Sequence, residues 1–85
     1  MIQNVPKRNY GIETGAVYRR GVGGAMTEIA EVVEVAPDRL GIPHVRYNAH
    51  LMRGSYKASC PETRTLALES FTARFKERVT AERLS

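Results

Sequence analysis

The alternation of apolar and polar positions is cleanest between His44 and Leu51. There Val45, Tyr47, Ala49 and Leu51 fall on one face of an extended chain, and His44, Arg46, Asn48 and His50 on the other. The pattern predicts a half-buried β-strand. A turn-rich connection, Pro37-Asp38-Arg39-Leu40-Gly41-Ile42-Pro43, leads into it from a segment dense in β-branched residues, Thr27 to Ala36. The two segments therefore predict a hairpin. Thr27 to Ala36 fits two templates in part: Ile29, Val32, Val33 and Ala36 trace a helical stripe, while Ile29, Glu31, Val33 and Val35 alternate imperfectly. The density of Ile, Val and Thr favours the strand, and a bulge near Val32 and Val33 would restore its alternation. The helix stays open as the competing template.

Around this hairpin the remaining elements are shorter. Ala16 to Arg20 predicts a strand that runs into the glycine-rich tip Gly21-Val22-Gly23-Gly24. That tip lacks the Gly-Lys-Ser/Thr ending a phosphate-binding loop requires. Met52 to Pro61 has no period and is rich in small, basic and turn residues, so it predicts the longest loop. Thr63 to Leu68 resumes strand character, and Ser70 then offers an N-cap to a helix bearing Phe71, Phe75 and Val79 at fourfold spacing. On that helix Arg74 would pair with Glu77 and Arg78 with Glu82. Residues 1–14 read as a flexible arm, pinned by Tyr10 and Ile12, and residues 15–85 as a single domain. The expected core joins Val45, Tyr47 and Leu51 to Val17, Val33, Leu66 and Phe71, with His44, Arg46 and His50 exposed.

Four or five short strands and one terminal helix in a chain of 85 residues predict a mainly β fold. The expected form is a small, curved antiparallel sheet or barrel of the SH3-like kind with a C-terminal helix. Four stretches carry a resemblance: Gly15-x-x-Tyr18-Arg19-Arg20, Ala30-Glu31-Val32-Val33-Glu34-Val35-Ala36-x-Asp38, His44-Val45-Arg46-Tyr47, and Arg64-Thr65-Leu66-x-Leu68-x-x-Phe71. Their rhythm is similar to that of small uncharacterised bacterial SH3-like β-barrel proteins, from Gly15 to Phe75. The resemblance implies a fold and transfers no catalytic residue. A helix continuing to Val79 would be longer than such barrels usually carry.

Charge refines the picture through its placement. The net charge is +4. Met26 to Asp38 holds Glu28, Glu31, Glu34 and Asp38 without a cation, whereas Arg39 to Cys60 holds Arg39, Arg46, Arg53 and Lys57 without a carboxylate. If these segments pair in a sheet, much of the segregation is structural, each cross-strand Glu–Arg contact contributing ~0.2–1 kcal/mol. No apolar run is long enough for a membrane span, and no apolar segment follows Lys7 and Arg8 to make a secretory signal. The single Cys60 has no disulfide partner within the chain. These features lead to the expectation of a cytoplasmic protein.

Candidate chemistry is sparse. His44 and His50 share a strand face but stand roughly 20 Å apart along it, too far to bind one metal ion. Cys60 with a histidine base does not read as a nucleophile, since Pro61 follows it in a loop and nothing marks a third group to orient the base. Glu28, Glu31 and Glu34 are accounted for by a solvated strand edge or cross-strand pairing. The expectation is a binding module without enzymatic activity or cofactor. Its ligand on this reading is nucleic acid, contacted by Arg19 and Arg20 beside Tyr18, by Arg46 with His50 on the central strand, and by Arg53, Tyr56 and Lys57 in the loop. The alternative is a protein-interaction or homodimerisation domain using an open strand edge or the Phe71, Phe75, Val79 stripe.

Overall fold

A computed structural model describes residues 10–79 of the chain. Three long strands, β1 (Val17–Gly23), β2 (Met26–Pro37) and β3 (Pro43–Arg53), form an antiparallel meander. The far edge of β3 is shared by two shorter strands. Its first half pairs with β5 (Glu62–Ala67), and its end turns back into β4 (Tyr56–Lys57). A short helix, α1 (Leu68–Arg74), follows β5, and β6 (Glu77–Val79) then joins the free edge of β1. Over the described residues the result is one mainly β, antiparallel sheet that does not close, with one short helix. No helix among the described residues is long and apolar enough to cross a membrane.

Thr27 to Ala36 is strand, as its β-branched content favours, and the bulge lies where alternation demands it. Val32 opposes Tyr47 and Glu34 opposes Arg46, leaving Val33 without a partner on β3. The extra residue changes what faces the core. Val32 points inward at 2% exposure, Glu34 is carried to the outer face to bond Arg46 at 2.8 Å, and Val35 returns to the core side. Without the bulge Glu34 would lie against Val45, a buried carboxylate with no partner. This arrangement also corrects one expectation: Val33 is exposed, because it is the bulged residue itself.

The core is a cluster of rings laid over small side chains. Ala30 and Ala49 oppose each other on β2 and β3, both buried, and leave room above the sheet for Tyr18, Tyr47, Phe71 and Phe75. The rings meet mainly edge to face: Tyr18–Phe71 at 5.4 Å, Tyr47–Phe71 at 5.1 Å and Tyr47–Phe75 at 5.6 Å between centroids. Such pairs add ~0.5–1.5 kcal/mol each beyond their area burial. Ala16, just before β1, and Tyr18 and Arg20 within it point inward, so Val17, expected in the core, is only half-buried on the other face. Val45 and Tyr47 are buried as expected, Leu51 and Leu66 are half-buried, and Arg46 is exposed. His44 and His50, expected to be exposed, are half-buried.

The helix differs most from expectation. It begins at Leu68 after Ala67, without a side-chain cap, so Ser70 lies inside it rather than capping it. It ends at Arg74, and Phe75 adopts extended backbone while its N–H still bonds the Phe71 carbonyl at 2.8 Å. The Phe71–Phe75 spacing is thus a true inward stripe, but only one turn long. Beyond it the chain saturates the open edge of β1, pairing Val17 with Val79 and Arg19 with Glu77. An unpaired strand edge is the stronger demand, because β1 would otherwise leave its backbone groups on that side without protein partners. Glu77 accordingly pairs with Arg19 rather than Arg74, and Arg78 approaches Glu13 at 3.6 Å. The expected Arg78–Glu82 pair and most of the expected arm, residues 1–9, lie outside the described residues.

Candidate functional site

The residues expected to contact a ligand do not form one surface: Tyr18 is buried in the core, and His50 is half-buried. Arg19 and Arg46 lie on the outer face of the sheet, where the Arg19 Nε is 3.6 Å from Glu77 and the Arg46 guanidinium donates to Glu34 at 2.8 Å. Arg20 faces inward with Tyr18, donates to Glu28 at 2.7 Å and sits over the Phe75 ring at 5.6 Å. All three are engaged by carboxylates. The acidic and basic segments are therefore complementary across β1, β2, β3 and β6, and much of the charge segregation is structural.

Arg53, Tyr56 and Lys57 are brought together, though in a hairpin rather than the expected loop. β3 runs on to Arg53 and turns at Gly54 and Ser55 into β4; Gly54 has φ 61°, a conformation glycine adopts without strain. The signal was short because β4 returns for only two residues. Ser59 extends the pairing with its side chain, its hydroxyl accepting from the Leu51 N–H at 2.9 Å, and the Ala58 N–H bonds the Leu51 carbonyl at 2.8 Å. Arg53 and Tyr56 are register partners and share a face; Lys57 faces the other way opposite Met52. Tyr56 is 71% exposed, and neither Arg53 nor Lys57 has a carboxylate partner among the described residues.

Between this hairpin and the aromatic core the inward face opens into a pocket of about 410 Å³, lined by Arg20, Glu28, Ala49, Leu51, Glu62 and Arg64 among others. Glu28 is its floor: only 5% exposed, it accepts from Arg20 and lies 3.7 Å from Arg64, which also bonds Glu62 at 3.4 Å. The Glu62 carboxylate, with Glu28 behind it, holds the Arg64 guanidinium firmly protonated. Burial pushes the Tyr47 hydroxyl above its ordinary pKa, and the Glu28 carboxylate pushes it the same way. Glu28 and Arg64 escaped sequence reasoning as an inward pair. The signal was present in the alternation: Glu28 is in phase with Ala30 and Val32, and Arg20 with Tyr18.

The stripe offered for protein interaction is not available to a partner as predicted, since Phe71 and Phe75 are buried within the fold. Among the described residues no three His, Cys, Asp or Glu side chains gather as metal ligands. Comparison with known protein families, curated proteins and solved structures gives no match.

Proposed function

We propose that the chain is a small, non-catalytic binding module that holds single-stranded nucleic acid on the β3–β4 hairpin. The observation that carries this reading is the juxtaposition of an exposed Tyr56 with two cations, Arg53 and Lys57, that no carboxylate neutralises among the described residues. A tyrosine on a hairpin offers a stacking platform to an unpaired base; Arg53 on the same face meets one phosphate, and Lys57 on the opposite face meets the next where the strand rounds the edge of the hairpin. The arginines on the strand faces have no such role here, because their charge is already compensated. An open, SH3-like curved sheet, the fold kind implied by the sequence rhythm, is supported by the β1-β2-β3 meander flanked by β5 and β6 and by a short helix placed just before the last strand. A bacterial cytoplasmic setting goes with that resemblance.

The test is binding of short single-stranded oligonucleotides across a salt series. Two phosphate contacts predict a slope of log K against log salt of roughly −1.4, at ~0.7 per contact on single strands. Arg53→Ala removes about half of that slope. Tyr56→Ala weakens binding by ~1–3 kcal/mol and leaves the slope in place. Absence of binding at low salt, or binding indifferent to both substitutions, refutes the proposal.

A further inference from the structure

The opposite end of the sheet carries an unusual exposure of apolar side chains on a turn that is held rigid. Asp38 organises the β2–β3 connection: its Oδ1 accepts from the Leu40 and Ile42 N–H groups, both at 2.9 Å, and its own N–H bonds the Ile42 carbonyl at 2.9 Å. The Gly41 N–H closes on the Asp38 carbonyl at 3.0 Å, with Gly41 at φ 83°, and the His44 Nδ1–H donates to the Ile42 carbonyl at 2.9 Å. This network presents Leu40 at 83% exposure and Ile42 at 47%. Holding a leucine in water on an ordered turn gains the monomer nothing, but it lowers the entropy lost when that leucine enters a pocket.

Such a pocket lies on the same end. A groove of about 430 Å³ runs between the turn and the helix, lined mostly by apolar atoms of Tyr10, Ile42, Pro43, Ala67, Leu68 and Thr72, and also by the exposed Glu69. Arg39 stands beside Leu40. Neither Arg39 nor Glu69 has an ion-pair partner among the described residues. Anchor and groove therefore lie side by side on one patch, each flanked by a charge of opposite sign. A twofold axis through such a patch sends each anchor into the other copy's groove, which is the self-complementarity an isologous dimer requires.

We propose that the β2–β3 turn and the adjoining groove form a homodimer interface. Leu40 of each copy fills the groove of the other, and Arg39 of each pairs with Glu69 of the other. The interface is separate from the β3–β4 hairpin, so its fate is independent of the nucleic-acid reading.

Sedimentation equilibrium of the full chain from low micromolar to several hundred micromolar tests it. The expected result is a concentration-dependent monomer–dimer equilibrium. Leu40→Asp should leave the far-UV circular dichroism and melting temperature unchanged, because Leu40 makes no core contact, and should abolish the dimer. Arg39→Glu alone and Glu69→Arg alone each set like charges across both pairs and raise the dimer dissociation constant about tenfold. An equimolar mixture of these two variants restores both pairs, and a heterodimer should recover wild-type affinity. A wild-type chain monomeric at every concentration overturns the proposal. So does a dimer that survives Leu40→Asp, or a mixture that associates no better than its weakened components.

Discussion

Truncating Phe75 to alanine tests whether its ring is packed where the structure places it. Phe75 follows the last helical residue and is 2% exposed, with ring contacts to Phe71 at 4.9 Å and Tyr47 at 5.6 Å and the Arg20 guanidinium 5.6 Å above it. Removing a buried Phe ring costs ~3–5 kcal/mol, depending on how far the cavity collapses. Two ring neighbours and a cation over the face favour ~4 kcal/mol, since Tyr47 and Phe71 are held by the sheet and by each other and cannot follow the missing ring. A domain of this size is stable by about 4–13 kcal/mol in all, so the variant stands close to unfolding. At ~4–8 °C per kcal/mol the melting temperature falls by roughly 16–32 °C. Urea titration followed by circular dichroism should show the midpoint falling with the slope preserved, the mark of lost stability rather than altered compactness. Phe75→Leu, which keeps much of the volume, should recover more than half of the loss. A cost below about 1 kcal/mol would refute the packing argument, because a ring on a continuing, solvated helix would be lost at that price.

Two further predictions concern turns. Ala25 is at φ 62° beside Gly24 at φ 62°, the conformation of a tight primed hairpin turn, which a Cβ disfavours by about 1–2 kcal/mol. Ala25→Gly should therefore stabilise the domain by ~0.5–1 kcal/mol after the glycine's extra unfolded-state freedom is set against it, and a lower melting temperature would refute the turn geometry. Asp38 is held below its ordinary pKa chiefly by the Ile42 N–H, with the Leu40 N–H and the charge of His44 acting the same way against some desolvation. A depressed carboxylate contributes fully above its ordinary pKa of about 4 and loses that contribution as pH falls through the lower folded value. The stability difference between the wild type and Asp38→Asn should be fully present near pH 5 and shrink below about 4; a difference constant from about pH 5 to about pH 2 would refute it.

Much of the sheet was legible because alternation and β-branching are local signals. β3 could be read directly, and β2 with its bulge followed once Val32 and Val33 were seen to break the period of a strand otherwise rich in Ile and Val. β6 was not legible: Phe75 and Val79 continue a helical spacing, and only the vacant edge of β1, a feature of the assembled sheet, turns Glu77 to Val79 into a strand. Tyr18 illustrates the same limit, since in a short strand either face can be the inner one until partners are fixed. For the candidate site, residue type alone could not separate Arg19, Arg20 and Arg46 from Arg53 and Lys57. Their carboxylate partners come from other strands, at distances in sequence that only the register reveals.

The bulge at Val33 also sets where this chain can change length. Every other residue of β2 has a fixed opposite number on β3, so a residue gained or lost there would send each side chain beyond it to the wrong side of the sheet. Val33 alone opposes nothing. A sequence one residue shorter at that point keeps Val32 and Val35 inward and Glu34 against Arg46, and loses only local twist. Strand β2 thus has one point of slack in an otherwise indivisible ladder, and insertions or deletions drifting through a lineage of such chains would be retained in β2 at that point and rejected along the rest of it.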